Sequence, residues 1–290
     1  MKKKFIKCDG YKIETLYTNK KKIIFYHTPK SAGTTVANIL SVLLKNSIRI
    51  PGPLTSLSGF KKDKKNLKTT SIFFSENKKE IKSLKPNFIF GHIPYEIGSQ
   101  LKGRTSFAIL RDPYERAISH FNFKIERDPQ YAKKGIKFFF ENNLIPDNII
   151  VRQFCGNCLK DKIDIEDVEI ALDNLLTKID YLFNIKQAKD AINLMISMLD
   201  LPSVIFQNLQ VTKKNYYKHS QENMSAIKYY NKFDILLYKT LTDKNLFYKN
   251  LKKKINRTQN EYLYYSVDRP INGKKICIIN KEIALKIFKL

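Results

Sequence analysis

The chain is short of cysteine, of acidic residues and of long apolar runs, and each shortage removes a class of protein. Four cysteines (Cys8, Cys155, Cys158 and Cys277) in 290 residues are too few for a disulfide scaffold. Cys155 and Cys158 form one CxxC, but a structural zinc site needs two more ligands at suitable spacing, and none is apparent. The pair reads as ordinary thiols. The N-terminus, MKKKFIKCDGYK, carries charge without an apolar stretch, so it does not read as a signal peptide. No apolar run is long enough to span a bilayer, and the expectation is a soluble, cytoplasmic protein. There is no carboxylate cluster to hold a metal and no GxxxxGK[ST] loop. Nor is there an internal repeat, a helix-turn-helix, a zinc finger or an RNP-type motif.

Hydrophobic residues make up 43% of the chain, which is the composition of a globular protein, and the length allows one large domain or two small ones. Against 27 acidic residues stand 53 basic ones, a formal net charge of +26. The lysines come mostly as doublets and triplets spread over the whole chain and form no single basic arm. Such a field draws polyanions: nucleotides, acidic polysaccharides, nucleic acid or an anionic membrane surface.

The organising stretch is residues 22–45, KIIFYHTPKSAGTTVANILSVLLK. Residues 22–26 have the β-branched and aromatic composition of a buried strand. Residues 27–33 hold Pro29, Ser31 and Gly33 and turn the chain. Thr34 or Thr35 can cap a helix with Val36, Ile39, Leu40, Leu43 and Leu44 on its apolar face. A strand, a small-residue loop and a helix N-terminus together bind phosphate through backbone N–H groups and the helix dipole. Lys30 adds a cation, and Ser31, Thr34 and Thr35 add hydroxyls. The same residues also describe a tight β–α turn with a solvent-facing lysine.

Further along, residues 1–21 read as basic and peripheral, 46–71 as a long loop and 76–84 as a short helix. Residues 87–91 form a strand running into His92, the place where ligands bind in α/β sheets, although a lone histidine is also commonly structural. Residues 105–110 form a third strand ending at Arg111. Asp112 then caps a helix with Pro113 in its first position and Ala117, Ile118, Phe121 and Ile125 as its stripe. Arg111 and Ser119 are placed to face a second anion; the alternative is a surface pair, Arg111–Asp112 or Arg116–Glu115. Residues 127–160 read as helical packing. A helix over 166–177, a strand over 181–185 and helices over 187–199 and 224–243 follow, with a short apolar stretch at 276–279. The alternation predicts an α/β protein of three layers with a mostly parallel sheet.

Three of these segments, PKSAGTT (29–35), GHIPY (91–95) and LRDPYERAISHF (110–121), together resemble the carbohydrate O-sulfotransferases of heparan and chondroitin chains and their bacterial relatives. The likeness extends over about residues 22–245, leaving 1–21 as a basic N-terminal segment and 246–290 as a C-terminal extension of a single domain. It implies a P-loop-kinase-like αβα core with 3′-phosphoadenosine 5′-phosphosulfate as co-substrate and no metal. It implies that Lys30, Ser31, Ala32, Gly33, Thr34 and Thr35 hold the 5′-phosphosulfate and that Arg111 and Ser119 hold the 3′-phosphate. His92 matches the catalytic base, and Arg116 matches a recurring structural arginine. The basic loop 46–71 does not align with the family, and with it goes the identity of the acceptor.

The chemistry agrees with the residues. Sulfuryl transfer, like phosphoryl transfer, proceeds by in-line attack and is catalysed by positioning and charge stabilisation. His92 would take the proton of an acceptor hydroxyl. Lys30 would stabilise charge on the leaving oxygen, and Arg111 would clamp a phosphate. The acceptor implied is a saccharide, with an acidic glycan suited to the positive charge. Two other readings stand beside this one: a small-molecule kinase, which would need a GK[ST] loop and a magnesium carboxylate, and a non-enzymatic binder of acidic glycans or nucleic acid, without specific nucleic-acid recognition.

Overall fold

The computed structural model describes residues 4–8, 11–15, 21–43, 47–50, 86–158, 160–201, 203–206, 215–247, 262–267 and 276–280. In chain order, β1 (Lys4–Cys8) and β2 (Tyr11–Thr15) form an antiparallel hairpin. β3 (Ile23–His27), α1 (Gly33–Leu43), β4 (Ser47–Ile50), β5 (Phe88–Gly91), the short α2 (Tyr95–Gly98) and β6 (Thr105–Leu110) follow. Then come α3 (Pro113–Arg127), α4 (Ile136–Glu141), α5 (Ile149–Phe154), α6 (Ile165–Asp173), β7 (Tyr181–Asn184) and α7 (Ala188–Met198). β8 (Ser203–Phe206), α8 (Gln221–Tyr230), α9 (Lys232–Asp243), β9 (Tyr262–Val267) and β10 (Ile276–Asn280) complete the chain.

Five strands make the central sheet in the order β4-β5-β3-β6-β7, every pair parallel. Numbered within the sheet this is 2-3-1-4-5, the P-loop-kinase-like order. Parallel strands covered on both faces are apolar on both faces, so they read as unbroken apolar runs. Ile24 and Tyr26 of β3 face one core with Ile89, Ala108, Leu110 and Leu182, under α5, α6 and α9. Ile23 and Phe25 face the other with Phe88, Phe107, Ile109 and Phe183, under α1 and α7. Helices on both sides of one sheet are the three layers that the alternation predicts.

Several expectations change. The segment 46–71, read as a loop, opens with β4, an edge strand of the sheet, while 51–71 and the helix expected at 76–84 lie outside the described residues. Four strand residues before Pro51 gave too little pattern against the turn residues that follow. The basic N-terminus contains a hairpin, and β8, β9 and β10 form a second sheet in the order β10-β9-β8. The helix at 166–177 is α6 followed by a π-helical turn, Asn174–Lys178. α1 starts at Gly33, so Thr34 and Thr35 lie inside it and neither is its cap.

The helix expected over 224–243 breaks at Asn231, and the cause is tertiary. Asn148, itself left-handed at φ 41°, accepts hydrogen bonds from the N–H groups of Phe233 and Asp234 and so starts α9. In return the Asp234 carboxylate accepts from Ile150 and Val151 N–H at the start of α5. Each segment caps the other's helix, with Asn231 and Asp234 fully buried between them.

Candidate active site

Parallel strands open all their C-terminal ends on one edge of the sheet. β3 lies between β5 and β6, so the loops that follow these three strands are neighbours. Lys30, His92 and Arg111, far apart in sequence, are brought to that edge.

The loop after β3 holds two L-residues in the left-handed region, Lys30 at φ 67° and Ala32 at φ 56°, with Ser31 between them outside it. Each such residue costs about 1–2 kcal/mol, and strain of this kind collects at functional sites. Alternating backbone handedness turns successive N–H groups into one concavity that suits an anion. The loop is braced by Ser31 N–H donating to the Thr28 carbonyl (3.2 Å) and Thr35 N–H to the Ala32 carbonyl (3.0 Å). Ser31 is fully buried, and its Oγ has no hydrogen-bond partner among the described residues. A buried hydroxyl left unpaired costs about 1–3 kcal/mol, so an anionic ligand accepting from it fits this loop. Thr35 is buried and Thr34 half-buried at the start of α1.

Lys30 is half-buried, with its Nζ 4.0 Å from the centroid of the Phe123 ring. The Arg127 guanidinium lies 4.3 Å from the same ring. Burial, reinforced by the Arg111 and Arg127 cations, lowers the Lys30 ammonium to about 8, with Glu126 pulling the other way. The Lys30 carbonyl accepts from Arg111 Nη1 at 3.4 Å, which ties the loop to the end of β6.

Arg111 Nε also pairs with Glu115 (3.2 Å) at the surface, while Asp112 accepts from Tyr114 and Glu115 N–H and caps α3. The surface partner of Arg111 is therefore Glu115 rather than Asp112, and Arg116 is fully buried rather than paired with Glu115. Exposed pairs of this kind are weak, so a phosphate would displace Glu115 readily. Ser119, half-buried, stands on the i, i+4 row of α3 between Glu115 and Phe123. It thus lies one turn from the ring that carries Lys30.

Gly91 has φ 150°, a backbone that favours glycine, and a Cβ there would collide with the Ile50 carbonyl. The chain then enters His92, which is buried, with Nδ1 2.8 Å from the His27 carbonyl oxygen. A carbonyl only accepts, so Nδ1 carries the proton and the lone pair of the neutral ring is on Nε2. The His27 and His92 rings stand 4.3 Å apart.

Sequence reasoning passed over Gln153, which follows Arg152 in the last turn of α5. Fully buried, it accepts from Thr28 Oγ1 (2.7 Å) and donates from Nε2 to the Ile93 carbonyl (3.1 Å). It bridges the loops after β3 and β5. An uncharged polar residue within the run IIVRQF was the available signal. Gln153→Ala would leave the Thr28 hydroxyl and the Ile93 carbonyl buried and unpaired. A loss of about 2–4 kcal/mol is expected, read from the urea midpoint; a change below about 0.5 kcal/mol would remove Gln153 as the bridge.

Cys155 and Cys158 are buried free thiols, and burial pushes both up. Cys155 Sγ donates to the Asn157 carbonyl, and Cys158 N–H to Glu96 Oε1. Among the described residues, no group of three or more His, Cys, Asp or Glu is placed to share a metal ion, and no helix is long and apolar enough to cross a membrane.

No curated protein is significantly similar to the chain. Among solved structures, a sulfotransferase from Alicyclobacillus acidocaldarius is 8% identical with a TM-score of 0.40, covering 77% of this chain and 96% of its own. The mouse sulfotransferase SULT7A1, complexed with PAP, is 11% identical with a TM-score of 0.37, covering 80% and 75%. The profile described as "Sulfotransferase family" matches residues 14–249, which takes in the loop after β3, His92 and all of α3. With most of its length inside that match, the chain belongs to the sulfotransferase family.

Proposed function

We propose that the protein transfers a sulfuryl group from 3′-phosphoadenosine 5′-phosphosulfate to a hydroxyl of a saccharide, with His92 as general base. The observation that carries this reading is the fixed tautomer of His92 beside the strained loop: Nδ1 is held by the His27 carbonyl, and Nε2 is the nitrogen able to take a proton. The donor supplies the sulfuryl group and a phosphate leaving group. The loop N–H groups, Ser31 Oγ, Thr34 and Thr35 would hold its 5′ end, and Arg111 and Ser119 its 3′-phosphate. Lys30 stabilises charge growing on the leaving oxygen. His92 accepts the proton of the attacking hydroxyl as the new bond to sulfur forms. The saccharide acceptor follows from the likeness of the three motif segments to the carbohydrate enzymes, and the net charge of +26 suits a glycan that is itself acidic.

A thermal-shift titration with adenosine 3′,5′-bisphosphate beside ADP tests the donor site. At a hundred times its dissociation constant the bisphosphate should stabilise the fold by about 2.7 kcal/mol, a rise of roughly 5–10 °C. The shift should be selective and lost in Arg111→Ala. Equal small shifts with both nucleotides that vanish with salt would replace this reading with a generic polyanion binder.

Lys30 gives a pH signature. Only its ammonium form stabilises the leaving oxygen, so kcat/KM, which reports the free enzyme, is expected to fall as pH rises through about 8. Arg127→Gln removes one of the cations that hold Lys30 down, so the same limb should move to higher pH. A limb unmoved in the variant would exclude Arg127 from the electrostatics of Lys30.

A further inference from the structure

The ring of His27 lies between the two halves of the site. It occupies the space where a Cβ on Gly33 would stand, directly against the phosphate-binding loop. Its other neighbour is His92, with centroids 4.3 Å apart and planes at 31°. Phe25 stacks on it at 5.9 Å and 9° and anchors it to the core side of β3. The His27 carbonyl holds His92 Nδ1 at 2.8 Å.

We propose that His27 is a positioning residue for the transfer reaction: its ring sets the plane of His92 and the spacing between that base and the phosphate-binding loop. The inference rests on the reading of His92 as base. The hydrogen bond at Nδ1 fixes one point of the His92 ring, and contact with the His27 ring on its face sets its plane. The same ring abuts Gly33, so the groups that would hold the donor and the group that would activate the acceptor share one rigid spacer. Reaction needs the attacking and accepting atoms within about 3–3.5 Å, and a misplacement of about 1 Å costs on the order of a hundredfold in rate. Gly33 is required here for space, because any side chain would evict the spacer.

The His27 carbonyl survives every substitution, so side-chain variants isolate the ring. His27→Phe keeps a planar ring, His27→Leu keeps volume without one, and His27→Ala empties the position. His27→Ala is expected to lower kcat roughly ten- to hundredfold. The bisphosphate dissociation constant should stay within about threefold, and His27→Phe should recover kcat to within about fivefold. In a His92→Ala background, His27→Ala should change the residual rate less than about twofold, because a residue acting through His92 has nothing left to act on. Should His27→Ala not fold, His27→Leu takes its place in the cycle. Wild-type kcat in either variant overturns the proposal. So does a full further loss in the His92→Ala background, or a defect confined to bisphosphate binding. If His92→Ala itself turns over normally, the base reading fails and this inference with it, whereas a wild-type His27→Ala beside a dead His92→Ala sinks this inference alone.

Discussion

His92→Ala is expected to slow transfer by roughly a hundred- to ten-thousandfold while adenosine 3′,5′-bisphosphate still binds. The size follows from the role: a positioned base is worth that much when it takes the proton of the attacking hydroxyl in the transition state. The separation from binding follows from the architecture. The groups proposed for the donor come from the loop after β3, from α1 and from the β6–α3 junction, whereas His92 comes from the end of β5. The fold should tolerate the change. His92 makes a hydrogen bond to the His27 carbonyl, and losing one such bond costs about 1 kcal/mol. The chain keeps Gly91 and the Gln153 contact to Ile93 on either side. The measurement pairs single-turnover rates with the bisphosphate thermal shift in the same variant. A normal shift with a collapsed rate establishes the base. A normal rate refutes it, and a lost shift would mean that His92 supports the loop rather than the chemistry.

The strands that carry the site were legible because their environment is simple. β3, β5, β6 and β7 are apolar on both faces, and such strands announce themselves without any alternation to decode. The segments after them were legible because Pro29, Gly33, Gly91 and Pro113 punctuate the chain where it must turn. What stayed hidden depends on partners distant in sequence. Nothing local in KYYNKFDILL says that the helix must break at Asn231, because the cap that breaks it is Asn148. Nothing local in RQF says that Gln153 joins two loops, because Thr28 and Ile93 lie just past β3 and β5, far off in sequence. His27 was visible only as a loop residue until the fold set its ring beside His92. Arg111 and Arg116 look alike in sequence, five residues apart on one segment. The end of β6 leaves Arg111 at the edge of the site, whereas the first turn of α3 carries Arg116 into the core.

That buried arginine gives the second large effect: Arg116→Leu is expected to destabilise the protein by about 3–5 kcal/mol, a large share of the roughly 5–15 kcal/mol that holds a domain folded. Arg116 donates from Nη2 to Asn231 Oδ1 at 2.7 Å and stands 3.9 Å from Asp234, all three fully buried. Without the cation, the Asp234 carboxyl stays in the core with the Ile150 and Val151 N–H groups as its hydrogen-bond donors, and both caps at the α5–α9 junction loosen. Asp234→Asn should be destabilising as well. The double variant should cost less than the sum, because each single change strands the other partner. Burial pushes the Asp234 carboxyl up to about 6, against the pull of Arg116 and the two N–H groups. A carboxyl raised on folding binds its proton more tightly in the native state, so its contribution to stability is greatest below about pH 4 and falls as pH rises through about 6. The difference in stability between wild type and Asp234→Asn should therefore vary with pH in that window and level off above it. Urea midpoints at pH 5 and pH 7.5 read both predictions. Additive single losses would show that the two residues stabilise the fold separately. A pH-independent difference would show that Asp234 titrates alike in the folded and unfolded chains, and that the Arg116 cation fully compensates its burial.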